Sequence, residues 1–137
     1  MLTLGERICD AAIDLVGTAF RLHGRRADTG VDCVGLALLS VTGAGVVVPD
    51  PPAYRMRTGI APMAPGWLHR AGFVEGQGRR AGDLVIVRVS ALQLHLLVDA
   101  VDSVVHAHAG LGRVVRSPFP EDWTELSRWR LETPSSR

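Results

Sequence analysis

The chain of 137 residues has no lysine, only two cysteines, and no apolar run of the roughly 18 residues that would cross a membrane. Each gap excludes something. Cys9 and Cys33 form neither a CxxC pair nor a dense framework, so a zinc ribbon and a disulfide scaffold both fit poorly, and two buried free thiols fit better. All 15 basic residues are arginine, which carries no functional reading by itself. The formal net charge is only +1, far from the concentrated positive field that binds nucleic acid. The N-terminal stretch MLTLGERICDAAIDLVG puts Glu6 and Asp10 where a signal peptide would be positive and then apolar. We therefore expect synthesis in the cytoplasm without a signal peptide, no membrane partner, and a separate export route for any work outside the cell.

What is present suits one globular domain over residues 1–137. Hydrophobic residues make up 47% of the chain and charged residues 21%, too apolar for a disordered segment. A domain of roughly 150 residues buries about 68–70% of its unfolded surface, so no staple is needed. Thr3 and Glu6 form a TxxE capping box, and Ile8, Ala11, Ala12, Leu15 and Val16 then share one helical face, ended by Gly17. Residues 18–31 read as a loop. Asp32 reads as the N-cap of a second helix from Cys33 to about Val41, stopped by Gly43 and Gly45.

Between Val46 and about Gly78 five prolines, Pro49, Pro51, Pro52, Pro62 and Pro65, interrupt the pattern, with one short helix near Trp67–Ala71. Such an insertion in a compact domain covers a site or docks a partner. Then β-rich runs follow: Asp83–Val89, Leu94–Val101, Val104–Ala109 and Arg113–Ser117, which read as an antiparallel meander. Trp123–Leu131 reads as either a short helix or an edge strand. Helices first and strands afterwards predict an α+β fold.

Cys33 carries the candidate chemistry. One residue beyond an N-cap, its sulfur faces the unpaired amides and the positive end of the helix dipole, which lower a thiol pKa and can hold an oxyanion. Burial as a small hydrophobe is the competing reading, since free cysteine is among the most buried residue types. His95 shifts the balance, because an apolar strand has little use for an imidazole. His106 and His108 follow on the next strand, on one shared face, so either can orient His95 as a third catalytic residue does. Three histidines on adjacent strands also fit a zinc site, but that reading leaves Cys33 unexplained, and we expect no metal.

The blocks GVDCVGLAL, RRAGDLVIV and LHLLVDAVDSVVHA together resemble those of the NlpC/P60 cysteine peptidases, in order and at about the family's spacing. The resemblance implies a papain-like fold, with N-terminal helices packed on a small antiparallel sheet. It makes Cys33 the nucleophile, His95 the general base and His106 the third polar residue, with His108 as runner-up. Gly82 and Asp83 match the step that opens the central strand. Asp32, Val34, Phe20 and His108 fall at the presumed substrate cleft. Two departures stand there: Phe20 lies near the place where many members have a tyrosine, and Val34 where many have serine. The implied substrate is a peptidoglycan stem peptide, with a γ-D-glutamyl-diamino-acid bond as the family's target, and no cofactor is implied. FRLHGR…GVDCVGL is similar to members from phage tails and gene transfer agents, which implies tail-tip or hub proteins as partners and a virion or particle tail as location. A tail-tip adaptor keeping the fold without catalysis, and an acyltransferase using the same pair, remain open beside hydrolysis.

Overall fold

Thr3 Oγ1 accepts from the Glu6 amide at 3.0 Å and Glu6 returns the bond to the Thr3 amide at 3.0 Å, which starts helix α1 (Leu4–Asp14). In this computed structural model, which describes residues 1–54, 60 and 63–132, α1 buries Leu4, Ile8, Cys9 and Ala12 against helix α2 (Cys33–Gly43). Helix α2 is apolar nearly all round, as a helix enclosed between a second helix and a sheet must be. It is the central pillar of the core. Ser40, its buried polar residue, returns its hydroxyl to the Leu36 carbonyl at 2.7 Å.

The sequence from 18 to 31 is less loop-like than expected. It contains a short antiparallel ribbon, β1 (Arg25–Arg26) and β2 (Gly30–Val31), that packs on the first turn of α2. That contact is why Gly35 is glycine: a Cβ there would lie 2.0 Å from the Gly24 carbonyl oxygen. Helix α3 (Ala64–Arg70) begins earlier than Trp67, because Pro65 lies in its first turn, where its missing N–H costs nothing. Of the prolines read as interruptions, Pro62 lies outside the described residues.

Six strands follow: β3 (Val74–Glu75), β4 (Leu84–Ser90), β5 (Gln93–Asp99), β6 (Val104–His108), β7 (Arg113–Ser117) and β8 (Thr124–Arg130). They form one antiparallel sheet in the order β3-β8-β4-β5-β6-β7. The meander is as expected. Residues 123–131 are a strand, but an inner one: β8 returns to pair with β4 on one side and β3 on the other.

Strand alternation divides the core in two. Leu84, Ile86, Leu96, Val98, Val105 and Ala107 face the helices, while Val85, Val87, Leu97 and Val104 face the other side under Phe119 and Trp123. On that second face sits a buried ion network. Arg128 Nη1 reaches Asp83 at 2.8 Å and Asp99 at 2.7 Å, and Arg130 and Arg79 add bonds to Asp83 and Asp99. Burial raises the Asp99 pKa, and the Arg79 and Arg128 guanidiniums more than reverse it, holding the carboxyl below its ordinary value. Gly82, at φ 86° with its Cα packed on Gly5, makes the turn that delivers Asp83 to this network. Among the described residues no helix is long and apolar enough to cross a membrane.

Candidate active site

Asp32 positions the site. Its backbone is extended, its Oδ1 accepts from the Gly35 amide at 3.0 Å, and so it caps α2 as its sequence position predicts. The other oxygen accepts from the His23 amide at 2.8 Å and from the Tyr54 hydroxyl. With three donors and 3% exposure, this carboxylate is a fixed part of the wall.

Cys33 follows at the head of the helix, buried and in the reduced state, as is Cys9. It lines a cavity of about 470 Å³ together with His95, His106, His108, Asp32 and Phe20. Residues that the sequence marked separately thus meet around one space. Val34 does not join them: it is fully buried in the helix-side core, so the position after Cys33 faces packing rather than the cleft.

The link between Cys33 and His95 runs through β5. Leu96, next to His95 on β5, has its amide close enough to the Cys33 sulfur to favour a charge there, as do the amides of Val34 and Cys33. Leu96 faces the helices, so His95 projects to the other side of β5, opposite Val87 on β4. There its ring meets that of His106 edge-on, with centroids 5.6 Å apart, and Trp123 covers both at 5.6 Å and 4.9 Å.

His106 rather than His108 is therefore the ring beside His95. The β5–β6 ladder consists of Val98↔Val105 and Asp99↔Val104, and continuing it would set His95 opposite His108. Instead His108 turns its Nδ1 to accept from the Leu111 amide at 3.0 Å, which ties it to the β6–β7 turn. Among the described residues no three His, Cys, Asp or Glu side chains converge as metal ligands do.

The electrostatics differ from the expectation for a helix-start cysteine. Burial pushes the Cys33 thiol up to about 12, the Asp32 charge adds to the rise, and the amides of Leu96, Val34 and Cys33 oppose it without reversing it. Burial likewise lowers His95 to about 3, with His106 and His108 repelling the charged ring, and lowers His106 to about 4. At neutral pH both members of the pair are uncharged.

Three residues of the site escaped the sequence reading. Tyr54, the chain's single tyrosine, enters from the proline-rich insertion and packs edge-on to His23 with centroids 4.8 Å apart. Its hydroxyl stands near the region where Phe20 offers none, and the expectation that the insertion covers a site was the signal for it. Trp123 covers the imidazoles, whereas Trp129 is buried at 8% exposure. Ser117 approaches His106 from β7, with its Oγ 3.4 Å from Nε2.

Comparison with known proteins gives no matching family model and no matching curated protein. Solved structures do match. NlpC2 from Trichomonas vaginalis aligns with a TM-score of 0.72 at 14% identity over 98% of this chain and 48% of that one. NlpC1 from the same organism gives 0.67 at 15% over 95% and 46%. The peptidoglycan hydrolase RipB from Mycobacterium tuberculosis gives 0.60 at 19% over 96% and 66%. The chain thus spans about half the length of the first two and under two thirds of the third. At such identities the likeness is one of backbone architecture, and it is consistent across all three: this chain has the α+β, papain-like fold of the NlpC/P60 structures.

Proposed function

We propose that the protein is a cysteine peptidase that cleaves an amide bond in the stem peptides of peptidoglycan. The observation that carries this reading is the convergence of Cys33, His95 and His106 on one cavity at the start of α2, in a fold shared with a peptidoglycan hydrolase. In the proposed reaction the Cys33 sulfur attacks the carbonyl carbon while its proton passes to His95. Amides at the helix start hold the oxyanion. The C–N bond then breaks, His95 returns the proton to the departing amine, and water, deprotonated by His95, hydrolyses the thioester. His106 orients His95, and no metal or cofactor enters the scheme.

The γ-D-glutamyl-diamino-acid bond is the proposed target. The segment pattern FRLHGR…GVDCVGL supports a setting in the tail of a phage or gene transfer agent, with tail-tip or hub proteins as partners and synthesis in the cytoplasm. The test is digestion of purified sacculi, followed by chromatography of released peptides. Wild-type protein releases them and Cys33→Ala does not; equal release by both would sink the mechanism. An added amine captured in the product would redirect the reading to acyl transfer.

One observation favours a second reading, a tail-tip adaptor that keeps the fold without catalysis: the Cys33 thiol is raised, whereas reactive thiols are usually lowered. Under that reading wild-type protein and Cys33→Ala are equally inert on sacculi and bind the tail hub equally.

A further inference from the structure

His106 is 3% exposed, and its two ring nitrogens have different surroundings. Nε2 lies 3.4 Å from Ser117 Oγ on the neighbouring strand, while Nδ1 is buried with no hydrogen-bond partner among the described residues. A neutral imidazole carries one N–H and one lone pair, so the network must decide which nitrogen holds the proton. Ser117 decides it. Its hydroxyl has a single hydrogen, and that hydrogen is donated to the Pro118 carbonyl at 3.0 Å. The oxygen is left only as an acceptor, so Nε2 must be the nitrogen that donates. A proline follows Ser117, so its carbonyl is the acceptor beside the hydroxyl while no competing amide donor is there.

We infer that Ser117 is a positioning residue that locks His106 in its Nε2–H tautomer and reserves the Nδ1 lone pair for an N–H of His95. The ring beside His106 supports that assignment, since His95 stands perpendicular to it, 5.6 Å away by centroids, and Trp123 closes the remaining side at 4.9 Å. An unpartnered buried acceptor is costly unless a donor arrives during function. To take the Cys33 proton, His95 must keep its lone pair on one nitrogen and carry its N–H on the other, which is the donor the His106 lone pair can meet, and the charge formed on His95 is then met by a lone pair instead of an opposing N–H. This role rests on the proposed function, whereas the tautomer itself does not.

The experiment is long-range 1H–15N NMR of the imidazoles in the whole protein at pH 7, where His106, lowered to about 4, is uncharged. Wild-type His106 should show a protonated Nε2 and a free Nδ1. Ser117→Ala should populate the Nδ1–H form, and Ser117→Thr, which keeps the hydroxyl, should restore the wild-type pattern. On sacculi, Ser117→Ala should lower kcat at least about tenfold with KM nearly unchanged, and Ser117→Thr should recover it. A wild-type Nδ1–H tautomer, or an unchanged tautomer in a folded Ser117→Ala, overturns the inference. If Ser117→Ala does not fold, the wild-type and Ser117→Thr spectra decide. A shifted tautomer with unchanged kcat removes Ser117 from the mechanism, and the expected spectra from a protein inert on sacculi refute the peptidase reading alone.

Discussion

Alkylation of Cys33 reads out directly what the cavity does to its sulfur. The thiol is pushed from 9.0 up to about 12, with burial leading and the Asp32 charge adding to it. Three pH units correspond to about a thousandfold less thiolate at pH 7 than an ordinary thiol, and the thiolate is the species that iodoacetamide attacks. The assay is timed labelling between pH 6 and pH 10 in a Cys9→Ser background, with peptide mass spectrometry locating the adduct. Labelling at pH 7 should run at least about a hundredfold below a small free thiol, and its logarithm should rise with unit slope across the whole range. Trp123→Ala admits water beside His95 and His106 and should speed labelling about tenfold at pH 7. A plateau beginning near pH 7, or labelling at pH 6 as fast as the free thiol, would refute the argument that burial outweighs the helix-end amides.

Other expectations concern stability and the cavity wall. Arg128→Met leaves Asp83 with Arg130 alone and Asp99 with Arg79 alone, both carboxylates being 1% exposed, and should cost about 3 kcal/mol by urea unfolding; a loss under about 1 kcal/mol would mean the network is not what holds β8 to β4 and β5. His95 and His106 are lowered from 6.5 to about 3 and about 4, so the unfolded chain takes up their protons first. Their stabilisation is complete well above about pH 6.5 and is lost as pH falls toward 3, by roughly 2–3 kcal/mol for each ring between pH 7 and pH 4.5. Urea midpoints at pH 7 and 4.5 check this, and His106→Asn should flatten the difference; an unchanged difference counts against it. Tyr54→Phe removes one of the three donors to Asp32 and should cost about 1 kcal/mol in thermal unfolding while raising the alkylation rate of Cys33. Slower or unchanged labelling would show that Tyr54 does not help to close the cavity.

Local signals carried much of the fold. The Thr3–Glu6 box and the Asp32 cap are contacts within one helical turn, and the meander from Leu84 to Ser117 pairs neighbours in sequence. Long-range partners were hidden. Residues 124–130, TELSRWR, have no apolar alternation because Arg128 and Arg130 are buried by Asp83 and Asp99, which lie far upstream. Their strand identity depends on that pairing, and so does the inner position of β8. The same holds at the site. Cys33 and His95 are fixed by their own elements and could be brought together on paper, whereas Tyr54, Ile60 and Trp123 reach the cavity from segments with no local motif for it. Burial of the sulfur is a property of what those segments cover, so the sign of its pKa shift was not legible.

That sign alters how the proposed chemistry must start. A helix N-terminus contributes about 0.3–1 kcal/mol to a nearby charge, and up to about 2 kcal/mol in favourable geometry, or at most about one and a half pH units. Burial at Cys33 exceeds this, leaving the thiol at about 12 against the opposing influence of nearby amides. A resting thiolate and imidazolium pair is therefore the minor state, and the neutral pair is the state that meets substrate. Proton transfer from Cys33 to His95 must then accompany attack, and the new positive charge appears beside the rings of His106 and Trp123. The one unpaired buried side-chain polar atom among the described residues is His106 Nδ1, an acceptor in the inferred tautomer and part of the ring beside the one that would gain this charge. In the proposed reaction the cavity thus disfavours ionisation before substrate binds and holds in reserve the lone pair that stabilises it afterwards, which makes the tautomer of His106 the property on which the proposed rate depends.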